Sequence, residues 1–91
     1  MVYFSSLATK DIRHLPKQAQ EALRVEHVPI LEADHHAGKP LHGPLRGYFS
    51  YEFWVNGIAY RIAYEISRND LIILMINTRD NFYKKFSRRV I

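Results

Sequence analysis

Between Phe49 and Thr78 the chain alternates so regularly that few folds remain open to it. Phe49, Tyr51, Phe53 and Val55 alternate with Ser50, Glu52, Trp54 and Asn56, the period of a strand with one apolar face. Asn56-Gly57 follows, the pair that tolerates the positive φ angles of a two-residue hairpin turn. A second strand is expected over Ile58–Ser67, with Ile58, Tyr60, Ile62, Tyr64 and Ile66 on one face and Ala59, Arg61, Ala63 and Glu65 on the other. Arg68-Asn69-Asp70 makes the next turn. Leu71–Thr78 is apolar at successive positions, which predicts a central strand covered on both sides. Three consecutive antiparallel strands therefore organise the second half of the chain.

The first half has a different period. Val2–Ser5 is rich in β-formers and predicts a short opening strand. Leu7, Ile12 and Leu15 then fall at loosely helical spacing. Pro16 suits the first turn of a second helix, along which Ala19, Ala22, Leu23, Ile30 and Leu31 recur, with Pro29 expected to kink or end it. His35–Tyr48 reads as a loop from its glycines and prolines. Asp80 or Asn81 is placed to cap a last helix with Phe82, Phe86 and Val90 on one face. The expected order is β-α-α-β-β-β-α, a single α+β domain over residues 1–91 with a small, antiparallel-rich sheet, two N-terminal helices on one face and a C-terminal helix. Ninety-one residues allow only a thin core, and 47% hydrophobic content is enough to build one. There is no cysteine, which removes disulfides and thiolate metal sites from consideration.

Charge is distributed unevenly. Cations and anions balance over residues 1–78, whereas Arg79, Lys84, Lys85, Arg88 and Arg89 face only Asp80 in the last thirteen. A localised basic patch favours a polyanion or an acidic protein partner. The plainer alternative is a helix whose cations complement its own C-terminal dipole. No stretch reads as a secretion signal or a membrane span, so a soluble cytoplasmic protein without membrane partners is expected.

Arg61 is the first candidate for function. It shares a strand face with Ala59 and Ala63, whose small side chains leave space beside the guanidinium. Arg79 ends the next strand and by parity shares a face with Asn77, Met75 and Ile73. Two arginines on one surface suit a phosphate, since each offers planar bidentate donors and stays charged. The alternative is structural: Arg61 paired across the sheet with Glu65 or Glu52.

The run Gly43-Pro44-Leu45-Arg46-Gly47-Tyr48, with Tyr60-Arg61-Ile62-Ala63-Tyr64-Glu65-Ile66 after it, resembles the central hairpin of the RelE/ParE toxin superfamily. The ending, in which Arg79 precedes Tyr83 by four residues, resembles the family's terminal pattern. The resemblance implies a RelE-like fold and the toxin of a bacterial type II toxin–antitoxin module. RelE-like members are ribosome-dependent mRNA endonucleases that use no metal or other cofactor. ParE-like members share the fold and poison DNA gyrase. Implied partners are a cognate acidic antitoxin, the ribosome and mRNA, with operator DNA reached through the antitoxin.

Carried over residue by residue, the resemblance implies that Arg61 contacts the scissile phosphate, that Arg79 is the second arginine and that Tyr83 is the terminal tyrosine acting on the nucleotide. The chain also departs from the pattern: Glu52 and Trp54 stand where RelE has two strand lysines, and Thr78 stands where many relatives have histidine. Metal-free RNA cleavage needs a base for the ribose 2′-hydroxyl, an acid for the leaving 5′-oxygen and cations for the charge at phosphorus. Glu52 is a candidate base, and His42 is its rival. Tyr83 is open to stacking or to proton donation, and Trp54 to stacking on a base or to ordinary packing. Arg46, Lys84, Lys85, Arg88 and Arg89 are candidate RNA contacts. His35, His36, His42 and Asp34 lack ligand spacing, so no metal site is expected. Three functions follow: the nuclease, the gyrase poison, and a degenerate toxin that binds antitoxin only.

Overall fold

The computed structural model describes all residues, Met1 to Ile91. The elements are β1 (Val2–Phe4), α1 (Ser6–Arg13), α2 (Lys17–Ala22), α3 (Val28–Ala33), β2 (Lys39–Pro40), β3 (Phe49–Val55), β4 (Ile58–Ser67), β5 (Asp70–Thr78) and α4 (Phe82–Val90). They form one five-stranded sheet in the order β1-β5-β4-β3-β2. β1 runs parallel to β5, and every other pairing is antiparallel. No helix is long and apolar enough to cross a membrane.

The expected meander forms with the expected turns: Asn56 and Gly57 both take positive φ, as do Arg68 and Asn69 in the second hairpin. β5 is central, and its two faces belong to two cores. On one side Leu71, Ile73 and Ile76 pack with Tyr60, Ile62 and Tyr64 of β4 beneath Ala8, Ala19, Leu23 and Leu31 of the N-terminal helices. On the other, Met75 and Ala63 pack against Phe82 and Phe86 of α4, with Val90 alongside. The N-terminal helices and α4 therefore sandwich the sheet.

Four local expectations need correction. Ala63 pairs with Met75 and Tyr64 with Ile73, so Leu74 is an extra residue in β5. This bulge reverses the alternation, and Ile73 faces the N-terminal helices while Met75 faces α4. Only the residues beyond the bulge share the face of Arg79. Leu23–His27 forms a π-helical turn, in which the Val28 N–H reaches back to the Leu23 carbonyl. The wide turn lets Pro29 sit in the first turn of α3 without breaking the helical run, and it shifts the phase so that His27 is buried and Ile30 is exposed. Within the expected loop, Lys39-Pro40 adds an edge strand against Ser50 and Phe49. Finally, neither Asp80 nor Asn81 caps α4 with its side chain; Asn81 turns into the helix through a left-handed backbone.

β1 covers β5 only as far as Ile73, which leaves the outer edge from Leu74 onward without a strand partner. Three side chains serve it, the Ser5 hydroxyl reaching the Leu74 carbonyl at a long 3.5 Å. Asp11 of α1 accepts the Ile76 N–H at 3.1 Å, and Arg89 of α4 donates to the Leu74 carbonyl at 3.0 Å. The same two side chains form a bidentate pair, at 2.7 and 3.2 Å. Replacing Arg89 leaves a partly buried carboxylate without its cation, and the Leu74 carbonyl with only the long Ser5 contact. Arg89→Ala is expected to lower unfolding free energy by about 2–3 kcal/mol in urea titrations.

His27 lies against Phe53, with ring centroids 4.4 Å apart, and its Nδ1 shares a hydrogen bond with the Tyr51 hydroxyl at 2.8 Å. Burial holds its pKa below the ordinary 6.5, with the Glu26 carboxylate opposing. The unfolded chain therefore binds a proton that the folded chain refuses, and stability falls as pH drops through about 6.5. His27→Phe is expected to flatten the change in unfolding free energy between about pH 7.5 and about pH 5.5.

Candidate functional site

The α4 face of the sheet carries the polar groups. Arg61 pairs across strands with Glu52 of β3 on one side and Asn77 of β5 on the other. Its neighbours on that face are Ala59 and Ala63, so α4 can come close enough to lay Tyr83 on the guanidinium. Arg61 Cζ is 4.8 Å from the centre of the Tyr83 ring, a cation–π contact. Phe82 and Phe86 hold α4 down, and Phe82 meets the Tyr83 ring edge-on. The Tyr83 hydroxyl reaches the hydroxyl of buried Ser50 at 3.4 Å.

Glu52 completes this group without closing it. Its Oε1 is 3.7 Å from Arg61 Nη2, within ion-pair range but beyond hydrogen-bond length. That oxygen is buried and has no hydrogen-bond partner. An orphaned carboxylate oxygen costs stability and is open to a hydrogen-bond donor from elsewhere. Glu52 and Arg61 line a depression of about 280 Å³ with Gly38, Lys39 and Ser50.

Arg79 lies one step along the same face. Its N–H donates to the Ala59 carbonyl, and its side chain is exposed and without an ion-pair partner. A second depression, about 360 Å³, holds Arg79 with Trp54, Ala59, Thr78 and Asp80. Trp54 is 59% exposed, so ordinary packing does not account for it. Arg61 lines the first depression and Ala59, its neighbour on the same strand face, lines the second. A larger groove of about 500 Å³ between β1 and the N-terminal helices contains Phe4, Ile12, Leu23 and Val28, far from these groups.

The remaining candidates are placed as follows. His42 and Arg46 flank a 3₁₀ turn at Gly43–Leu45, both exposed, and no hydrogen bond or ion pair joins either to Arg61, Arg79 or Tyr83. Lys84, Lys85 and Arg88 are exposed along α4. Arg89 is not a free surface cation as expected; it is engaged by Asp11 and Leu74. His36 stands edge-on to Phe49, and no three His, Asp or Glu side chains gather to hold a metal. Sequence reasoning missed Lys39 and Ser50. Both follow only from the β2–β3 register, in which they pair.

Comparison with known proteins gives this surface a family. The family of ParE-like toxins of type II bacterial toxin–antitoxin systems matches residues 2–87. The chain belongs to that family. Among solved structures, a chain of the RelBE2 toxin–antitoxin complex of Mycobacterium tuberculosis superposes with a TM-score of 0.74 at 29% identity, covering 87% of this chain and 96% of that one. The isolated RelE toxin of E. coli gives 0.66 at 20% identity, with coverage of 100% and 98%. A chain of the RelB–RelE complex of Methanococcus jannaschii gives 0.61 at 17%, with coverage of 92% and 98%. The last two similarities establish the fold alone. No curated protein sequence matches. The chain is thus a RelE/ParE superfamily toxin in fold, and in this ParE-like toxin the open Glu52–Arg61 pair under Tyr83 is the most distinctive polar feature.

The stacking can be checked directly. The Arg61 δ-protons are expected to be shifted upfield by the Tyr83 ring current in NMR spectra. Tyr83→Phe is expected to retain that shift, and Tyr83→Ala to abolish it.

Proposed function

We propose that this toxin inhibits translation in the cytoplasm as a ribosome-dependent, metal-independent mRNA endonuclease, neutralised by a cognate acidic antitoxin. The observation that carries this reading is the grouping of Arg61, Tyr83 and the unpartnered Glu52 oxygen on one shallow face. Arg61 stabilises the charge that builds on phosphorus, Glu52 takes the 2′-hydroxyl proton, and Arg79 binds the flanking phosphate. Tyr83 holds Arg61 in place, and Trp54, exposed beside Arg79, is available to stack on a nucleotide base. Lys84, Lys85 and Arg88 add a general attraction for RNA. Shallow depressions suit this task better than a small-molecule reaction, because the ribosome presents the RNA and excludes water around it. The antitoxin is supported by the family, toxins of type II toxin–antitoxin systems, and by the likeness to a chain of the RelBE2 complex.

A second reading, a gyrase poison without nuclease activity, is favoured by one specific feature: Glu52, Trp54 and Thr78 replace the lysines and histidine that the resemblance to RelE leads one to expect. The family's ParE-like description points the same way.

Mapping of mRNA 5′ ends after induction separates the two. The nuclease is expected to arrest translation and to create new 5′ ends within open reading frames, and Arg61→Ala with Arg79→Ala is expected to remove both effects. Intact mRNA with an induced DNA-damage response would instead establish the gyrase reading.

A further inference from the structure

We propose that Lys39 is a catalytic residue, the donor of the proton to the departing 5′-oxygen; the proposal rests on the nuclease reading above. Lys39 pairs with Ser50 across β2 and β3, and opposed residues of an antiparallel pair share a face. Its face is therefore that of Ser50, whose hydroxyl meets Tyr83, and it lines the depression that holds Glu52 and Arg61.

Its position is held from below. The Gly38 N–H donates to the Tyr64 hydroxyl at 3.1 Å, which in turn donates to the His35 carbonyl at 2.7 Å. A Cβ at residue 38 would stand 2.6 Å from the Tyr64 hydroxyl and 2.7 Å from the Ser50 carbonyl, so only glycine allows β2 to lie this close to the sheet. A buried core tyrosine thus anchors the strand that carries the lysine.

The chemistry of the lining then assigns the role. An arginine stays protonated to above about pH 12 and does not readily release a proton. The Tyr51 hydroxyl is turned to the opposite face, onto His27. Lys39 makes no ion pair with any carboxylate, so its ammonium is free to act. In the proposed step, Glu52 Oε1 accepts the 2′-hydroxyl proton as O2′ attacks phosphorus. The bond from phosphorus to O5′ breaks, and Lys39 Nζ gives a proton to O5′. One proton is taken and one is given, leaving a 2′,3′-cyclic phosphate and a 5′-hydroxyl.

The test uses the full chain and ribosomes programmed with mRNA carrying, at the cleaved linkage, either oxygen or a bridging 5′-sulfur, which departs as a thiolate without a proton. Lys39→Ala is expected to slow cleavage of the oxygen linkage by about 100-fold or more and to leave the sulfur linkage near the wild-type rate. Lys39→Arg, which keeps the charge, is expected to show the same split. Equal loss on both linkages would make Lys39 a binding residue and overturn the proposal, as would an unchanged rate on oxygen. Rescue by sulfur of Tyr83→Phe but not of Lys39→Ala would assign the proton to Tyr83 instead. If the wild-type protein cleaves neither RNA, the nuclease reading falls and takes this proposal with it.

Discussion

The paired contact of Asp11 with Arg89 ties the first helix directly to the last. It spans seventy-eight residues and closes across the edge of the central strand. Its geometry exists because β1 is too short to cover all of β5, and because the bulge at Leu74 disturbs the strand at the point where that cover ends. Backbone groups left at a sheet edge need partners. Here a carboxylate takes the Ile76 N–H and a guanidinium serves the Leu74 carbonyl, each charge satisfied by the other. With Phe82 and Phe86 in the second core, this clamp fixes the orientation of α4. Tyr83 on that helix is laid over Arg61 as a consequence.

The two cores divide the work. The larger one, under the N-terminal helices, contains the big side chains: Phe53, Tyr60, Ile62, Tyr64, Leu71 and Ile73. The smaller one, under α4, is built around Ala63 and Met75. A small residue on each side of Arg61 costs apolar contact on that face, and the stability must come from elsewhere. A thin core in a chain of ninety-one residues leaves little to spare. The face bearing the polar groups is therefore the less well packed of the two, and it is held by one polar clamp and two phenylalanines.

Much of this was legible from sequence wherever a single period governed. The β3–β4 hairpin could be read residue by residue, because Asn56-Gly57 sets the turn and an alternating pattern sets the faces. The parity of β5 could not, since an extra residue in a uniformly apolar strand leaves no trace in its pattern. His27 was hidden for a similar reason: a π turn moves a polar residue onto the buried stripe. Arg89 looked like its neighbours Lys84, Lys85 and Arg88, because charge alone does not reveal a partner in a distant helix. Lys39 lay in a segment of glycines and prolines, and only the register of a two-residue strand brings it to Ser50.

The protein contains two arginine–carboxylate pairs on comparable, partly buried ground, and they are built differently. Asp11 and Arg89 meet at hydrogen-bond length through both oxygens, and the spare capacity of each goes to backbone. Glu52 and Arg61 stand 3.7 Å apart, with the guanidinium covered by an aromatic ring and the carboxylate oxygen left without a donor. An unsatisfied buried oxygen costs about 1–3 kcal/mol. A shift of under an ångström would bring these directly opposed residues to hydrogen-bond length and recover part of that cost, while Tyr83 covers one face of the guanidinium. One pair is thus spent on holding the fold. The other leaves a carboxylate oxygen unpartnered beside a guanidinium, the arrangement on which the proposed reaction at a ribose and its phosphate rests.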